Sequence, residues 1–408
     1  MSRRRPRLAF VSPLFLFPND AGGKIRTTNV LRVLKGGEFE IRLLSPATTA
    51  ECERWSSEIE SVSDQFVRWE PRPPRPRPLR ALDLFGQLPV NVAADVCEHA
   101  RREVEAQARR GDVDLFVFDF VHASVLRPDR LPVPSICFTH NVEAEIFGRH
   151  ARAATGPLRR WLWSAQHAKM VRFEQEALRR YDKVIAVSDR DAEHFEKAYG
   201  LREPEAIPTG VDLDYFGWSA PSEAHDGRPP TIIYVASMDS AANRDAVEFF
   251  VRQVWPLVRA SRPEARFLAV GRNPPARLTA LARSHPGVEF TGSVPDVRPF
   301  LHEAQACVIP LLVGGGTRIK AYEAMAAGCP VVSTRVGIEG LELEPGQHYL
   351  EADEPREMAA AVLRLLDEPA LGRSLSERAR AFVEQRFGHR VAGQVFESIC
   401  LRTLGRAP

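Results

Sequence analysis

The residues whose types and spacing best suit chemistry lie in one run, Gly314-Gly315-Gly316-Thr317-Arg318-Ile319-Lys320-Ala321-Tyr322-Glu323-Ala324-Met325-Ala326-Ala327-Gly328. A short apolar strand pattern, Ala306–Pro310, precedes it, and good helix formers follow the glycines. The order is therefore strand, glycine loop, helix. A helix amino end carries unpaired N–H groups and the positive end of its dipole, and glycines let a ligand approach that backbone closely. The chemistry implied is capture of a nucleotide diphosphate. Arg318 and Lys320 place cations in the first turn, where they oppose the dipole unless an anion compensates them. Only six of the 55 basic residues are lysines, leaving 49 arginines, and one of the six is Lys320. The plain alternative is a helix start with two solvated cations, Glu323 pairing with Lys320 at i+3.

The elements that must position these groups recur along the chain. Strand-like runs appear at Leu8–Ser12, Ile41–Ser45, Leu115–Phe118, Ser135–Thr139 and Lys183–Val187, then at Thr231–Val235, Arg266–Val270, Val288–Thr291, Cys307–Pro310 and Pro330–Ser333, with helical patterns between them. Such alternation predicts parallel sheets covered by helices on both faces. Glycines and prolines between Pro208 and Pro230 break the pattern, so residues 1–207 and 231–389 are expected to form two doubly wound α/β domains joined by a linker at 208–230. Residues 390–408 hold a helix whose docking the sequence does not specify. Ligands of doubly wound sheets bind beyond the carboxyl ends of the strands, which places the expected active site in a cleft where the two domains face each other.

Composition bounds the rest. The 408 residues are 44% hydrophobic and 26% charged, with a net charge of +2. No global field argues for nucleic acid, and no run reaches the roughly 18–20 apolar residues that cross a bilayer. Six scattered cysteines suit reduced thiols and a cytoplasmic setting. The basic and apolar start, Arg3–Phe17, imitates a secretory signal, but Pro13 and Pro18 interrupt it and a first buried strand accounts for it better. Arg68–Arg80, with five prolines, reads as an extended solvated loop. Arg149–Arg180 carries eight basic residues beside Trp161 and Trp163, a composition that suits contact with an anionic membrane face.

Taken together, Gly314–Val332, Val187-Ser188-Asp189, Ile207–Asp212 and Val336–Leu341 resemble a retaining glycosyltransferase of the GT-B fold, family 4 type, over most of the chain. That resemblance implies two Rossmann-like domains, a nucleotide-diphosphate sugar as donor held chiefly by the C-terminal domain, and transfer with retention to a hydroxyl acceptor, in glycolipid, polysaccharide or glycoconjugate synthesis. It implies that Glu323 holds the ribose hydroxyls and that Gly22 and Gly23 form the glycine loop against the diphosphate. Gly314, Gly315, Gly316 and Thr317 line the donor site, and His140 lies near the donor sugar. Two departures accompany it. Gly315 stands where the family has an acid, and Ala236–Asn243 lacks the usual Arg and Lys, so Arg318 and Lys320 are the expected charge clamp. No metal is expected to be required: Asp112/Asp114 and Asp212/Asp214 read as structural pairs. The expected acceptor is a lipid-linked saccharide or a small molecule. The rival readings are a sugar-nucleotide epimerase of similar fold and a non-catalytic nucleotide-sugar-binding scaffold.

Overall fold

The structure is a computed structural model that describes residues 4–19, 22–71, 84, 86–154, 156–220, 228–313 and 319–406. The chain forms two compact units, residues 1–210 with 389–408, and residues 211–388.

The first unit is built on a seven-stranded sheet in the order β3-β2-β1-β4-β5-β6-β7. The strands are β1 (Arg7–Val11), β2 (Glu40–Pro46), β3 (Gln65–Trp69), β4 (Leu115–Asp119), β5 (Ser135–Phe138), β6 (Lys183–Ala186) and β7 (Glu205–Ala206). Every pairing is parallel. Alternate residues point to opposite faces: Leu8 and Phe10 join one apolar cluster with Leu31, Leu34 and Phe396, while Ala9 and Val11 join another with Ala100 and Val104. Both faces are therefore covered, which is why these strands read as unbroken apolar runs. Asp112 and Asp114 serve this sheet. Asp112 receives Arg42 and Arg7, and Asp114 receives Arg4 and the Arg7 N–H. The Arg42 hydrogen bond, with Arg7 behind it, holds the Asp112 carboxyl down at about 2.

The second unit holds six parallel strands in the order β10-β9-β8-β11-β12-β13: β8 (Thr231–Val235), β9 (Arg266–Val270), β10 (Val288–Gly292), β11 (Ala306–Ile309), β12 (Val331–Ser333) and β13 (Leu350–Glu351). The helix Ile319–Ala326 ends because Gly328 adopts φ +87°, with Gly328 N–H on Met325 O and Cys329 N–H on Ala324 O. This is the paired C-terminal closure that a left-handed glycine allows. A side chain at Gly328 would also meet Ser219 O at 2.1 Å.

Two expectations are corrected, the start of the second unit and the loop at Arg68, and the docking of the C-terminal helix is added. The second unit begins at Val211, not at 231: Val211 bridges Gly388, and Arg380 reaches Phe216 O. The C-terminal segment leaves that unit after Gly388, and its helix His389–Thr403 packs on the first unit against the helix Gly22–Leu34. Phe396 meets Phe138 edge-on at 5.1 Å, and the helices approach so closely that a Cβ on Gly393 would lie 2.4 Å from Val33 Cβ. Arg68 belongs to the edge strand β3 rather than to a loop; residues 72–80 lie outside the described residues.

Candidate functional site

In both sheets the strand order reverses beside the first strand of the unit, between β1 and β4 and between β8 and β11. Chains leave such a point in opposite directions and open a crevice at the carboxyl ends of the strands. The candidate residues that the structure describes gather there.

In the first unit Asp119 ends β4 and is fully buried. Its carboxylate accepts from Ser12 Oγ at 3.1 Å, from Thr27 Oγ1 at 3.0 Å, and from His140 Nε2 at 2.7 Å. Burial lowers the pKa of His140, with Asp119 opposing. In the neutral ring, a proton on Nε2 directed at Asp119 leaves Nδ1 as an acceptor, and Nδ1 is a buried atom without a partner among the described residues. The next residue, Phe120, has φ +65°, a region a bulky side chain occupies only at a cost. Its ring stacks on His140 at 4.0 Å and lies 5.1 Å from His122. The ring also fills the space a side chain would need at position 23, where a Cβ would lie 2.6 Å from it. Gly23 is therefore required by close packing at the start of the helix Gly22–Leu34; a Cβ at Gly22 would meet nothing within 4 Å.

Around this core, His122 Nδ1 bonds Asp95 at 2.7 Å. Burial works to lower the pKa of His122, but the Asp95 hydrogen bond and charge, joined by Glu143 and Asp119, outweigh it and raise the imidazole. Glu174, fully buried, accepts from the N–H groups of Glu143 and Ala144 and from Tyr199 OH. It thereby fixes the start of the helix Glu143–Ala153, three residues past His140. Burial pushes Glu174 up to about 7.

In the second unit Gly314, Gly315, Gly316, Thr317 and Arg318 lie outside the described residues. Lys320 and Glu323 are described, on the helix Ile319–Ala326. Lys320 Nζ donates to Asn243 Oδ1 at 3.0 Å and to Tyr234 OH at 3.2 Å, over the Tyr234 ring. Asn243 is held in turn by Tyr234 OH and by its own bond to Ser237 O. The lysine thus reaches from the helix after β11 to the end of β8, where residues 236–243 carry no cation of their own. Burial pushes Glu323 up to about 7, with Lys320 pulling it down. Sequence reasoning passed over Arg244, which donates to Met238 O and Asp239 O, and Arg272, which pairs with Asp239 at 2.9 Å; both stand where the β8 and β9 loops emerge. In the first unit it passed over Asp119, Phe120 and His122.

Two doubly wound parallel units with polar groups at their reversal points define the GT-B class. The first matches the model Glycosyltransferase Family 4 over residues 22–215, and the second matches Glycosyl transferases group 1 over residues 229–368. The chain belongs to this glycosyltransferase group and is a glycosyltransferase of glycan biosynthesis. It is 25% identical, over 246 residues, to the lipopolysaccharide core biosynthesis mannosyltransferase LpcC of Rhizobium leguminosarum bv. viciae, a match covering 57% of this chain and 67% of that protein. In structure it is similar to sucrose-phosphate synthase from Thermosynechococcus elongatus, with TM-score 0.68, 18% identity and coverage of 98% and 100%. It is also similar to Anabaena HepE solved with UDP, with TM-score 0.67, 14% identity and coverage of 96% and 99%. The chain spans about two thirds of the length of the curated relatives it matches.

Proposed function

We propose that this glycosyltransferase moves a hexosyl group from a nucleoside diphosphate sugar to a hydroxyl acceptor with retention of configuration and without a required metal. The observation that carries the donor assignment is Lys320, seated on Asn243 and Tyr234 one helical turn from Glu323. Departure of the nucleotide builds negative charge on the diphosphate and positive charge on the anomeric carbon. Cations already in place at the diphosphate therefore favour the transition state over the ground state. Lys320 and Arg318 are assigned that role, with the N–H groups of the glycine run. Glu323 accepts from the ribose hydroxyls. Retention follows from attack on the face the diphosphate leaves, its oxygen taking the acceptor proton. Crystallisation of the Anabaena neighbour with UDP supports a nucleotide donor.

The acceptor assigned is a lipid-linked saccharide, in keeping with the lipopolysaccharide-core relative. Within Arg149–Arg180 the groups available to a membrane are narrower than the composition implies. Trp163 packs on Phe147 and His150, Lys169 donates to Leu84 O and Arg180 to Asp129. At the start of the helix Pro157–Leu178, however, Leu158 is 75% exposed and Trp161 60% exposed, beside exposed Arg159 and Arg160. No helix among the described residues is long and apolar enough to cross a membrane. Co-sedimentation with phosphatidylglycerol vesicles should fall for Arg159→Glu with Arg160→Glu; unchanged binding would remove this surface from the reading.

The donor is tested by a thermal-shift screen of wild type, Lys320→Met and Arg318→Ala against UDP, GDP, ADP and TDP. One nucleotide should stabilise the wild type by about 2.7 kcal/mol at a hundredfold excess over Kd, and the variants far less. Equal stabilisation of all three proteins would remove the clamp, and loss of turnover in EDTA would remove the metal-free mechanism.

A further inference from the structure

Buried arginines of this chain other than Arg26 bond at least part of the guanidinium: Arg127, 9% exposed, leaves its Nε bare but donates from Nη1 to Pro128 O and from Nη2 to Ser135 Oγ. Arg42, 3% exposed, bonds Gln65, Gln107 and both oxygens of Asp112. Arg26 is nearly as buried, at 8%, in the second turn of the helix Gly22–Leu34. Among the described residues its Nε has no hydrogen-bond partner and no carboxylate lies within ion-pair distance of it. Asp119 and Asp191 act on it only through their field, and its own charge reaches His140. One turn further, Asn29 is 2% exposed and its Nδ2 is unpartnered. His140 Nδ1 is the third such atom, on a ring bonded to Asp119 beside Thr27. Buried polar atoms without partners are rare in native proteins; of the nine among the described residues, three belong to this one helix and the strand end against it. A guanidinium held without a partner costs stability that a bound anion would recover.

We propose that Arg26, with Asn29 and His140 beside it, forms an oxyanion site in the first unit that takes a phosphate or carboxylate group of a substrate. The planar fork suits either anion with two parallel hydrogen bonds, and the amino end of a thirteen-residue helix favours negative charge. Two substrates carry such a group, the nucleotide donor and an acidic acceptor. The site rests on the transferase reading only for the origin of the anion.

The test uses the full chain as wild type, Arg26→Met and Lys320→Met, with inorganic phosphate and with UDP, or whichever nucleotide proves to bind. Phosphate should raise the melting temperature of wild type and Lys320→Met but not of Arg26→Met. If the anion belongs to the donor, Arg26→Met weakens nucleotide binding at least tenfold; if it belongs to the acceptor, nucleotide binding is unchanged while phosphate protection is lost. Phosphate that protects Arg26→Met as well as wild type, or protects neither, overturns the site. Without ligand, Arg26→Met should melt no lower than wild type, because an unpaired buried charge has been removed, whereas a merely structural arginine would melt lower when replaced. Should Arg26→Met fail to fold, Arg26→Lys keeps the charge without the fork and should bind phosphate several-fold more weakly. A nucleotide that protects no variant would sink the donor reading while leaving the phosphate result intact.

Discussion

Asp119 is where the polar chemistry of the first unit converges, since Ser12, Thr27 and His140 all donate to it in a fully buried setting. Asp119→Asn keeps the shape but turns one acceptor into a donor facing donors. It should cost about 1–3 kcal/mol of stability, the range for an unsatisfied buried group, and should lower turnover at least tenfold by releasing the His140 tautomer. Full activity with unchanged melting would show that the dyad is not used. Gly23→Ala drives a methyl into the Phe120 ring and should destabilise the unit by about 1–3 kcal/mol, as overpacking does. Lys320 was legible in the sequence because it follows a strand and a glycine run at the start of a helix, and His140 only through the family resemblance. Asp119 was not: in Val117-Phe118-Asp119-Phe120-Val121 a single acid looks like the end of a buried strand, and its partners arrive from residues 12, 27 and 140 only when the sheet assembles. Glu323 gives a pH prediction. Its carboxyl is held at about 7, above its ordinary 4.5, so the native state keeps a proton that the unfolded chain has released. Its contribution to stability is complete below about 4.5 and fades as pH rises through about 7. Ribose hydroxyls prefer the ionised form, so nucleotide affinity should rise between pH 6 and 8 in wild type and stay flat in Glu323→Gln. A parallel rise in both proteins, measured by titration calorimetry, would exclude Glu323.

Among elements, the helix Glu143–Ala153 depends on one distant side chain. Glu174 supplies the acceptor that its first N–H groups lack, and no side chain caps that end locally. Glu174→Ala should cost about 1–3 kcal/mol for each donor left bare, and amide exchange should quicken first at Glu143 and Ala144; exchange unchanged there would make the cap incidental. The sequence could not disclose this, because the acid lies 31 residues from the N–H it serves. The central strands were legible for the opposite reason. Burial on both faces makes them apolar throughout, so Thr231–Val235 and Arg266–Val270 are found at their expected bounds. The strands it missed lie at sheet edges. β3 is half exposed and alternates weakly, and β7 and β13 are two residues long, so neither composition nor periodicity marks them.

At the scale of the molecule, the division into units does not follow the order of the chain, because the last helix completes the first unit. His389–Thr403 buries Ala392, Phe396, Ile399, Cys400 and Leu401, and Glu397 accepts from Glu38 N–H at 2.8 Å. Each fully buried large apolar side chain contributes about 1.5–3 kcal/mol. The helix therefore supplies an amount comparable with the whole stability of an ordinary domain, about 5–15 kcal/mol. The sheet of the second unit closes within residues 211–388. A chain ending at Gly388 should accordingly lose the first unit's share of the unfolding heat in calorimetry and expose that unit to limited proteolysis. The second unit should keep its transition and its shift with nucleotide, because Lys320, Glu323, Tyr234 and Asn243 all remain. If the shortened chain melts like the full one, the helix is an accessory rather than a part of the first core. If nucleotide protection disappears with it, donor binding requires the first unit as well, and the assignment of the nucleotide to the second unit alone is wrong.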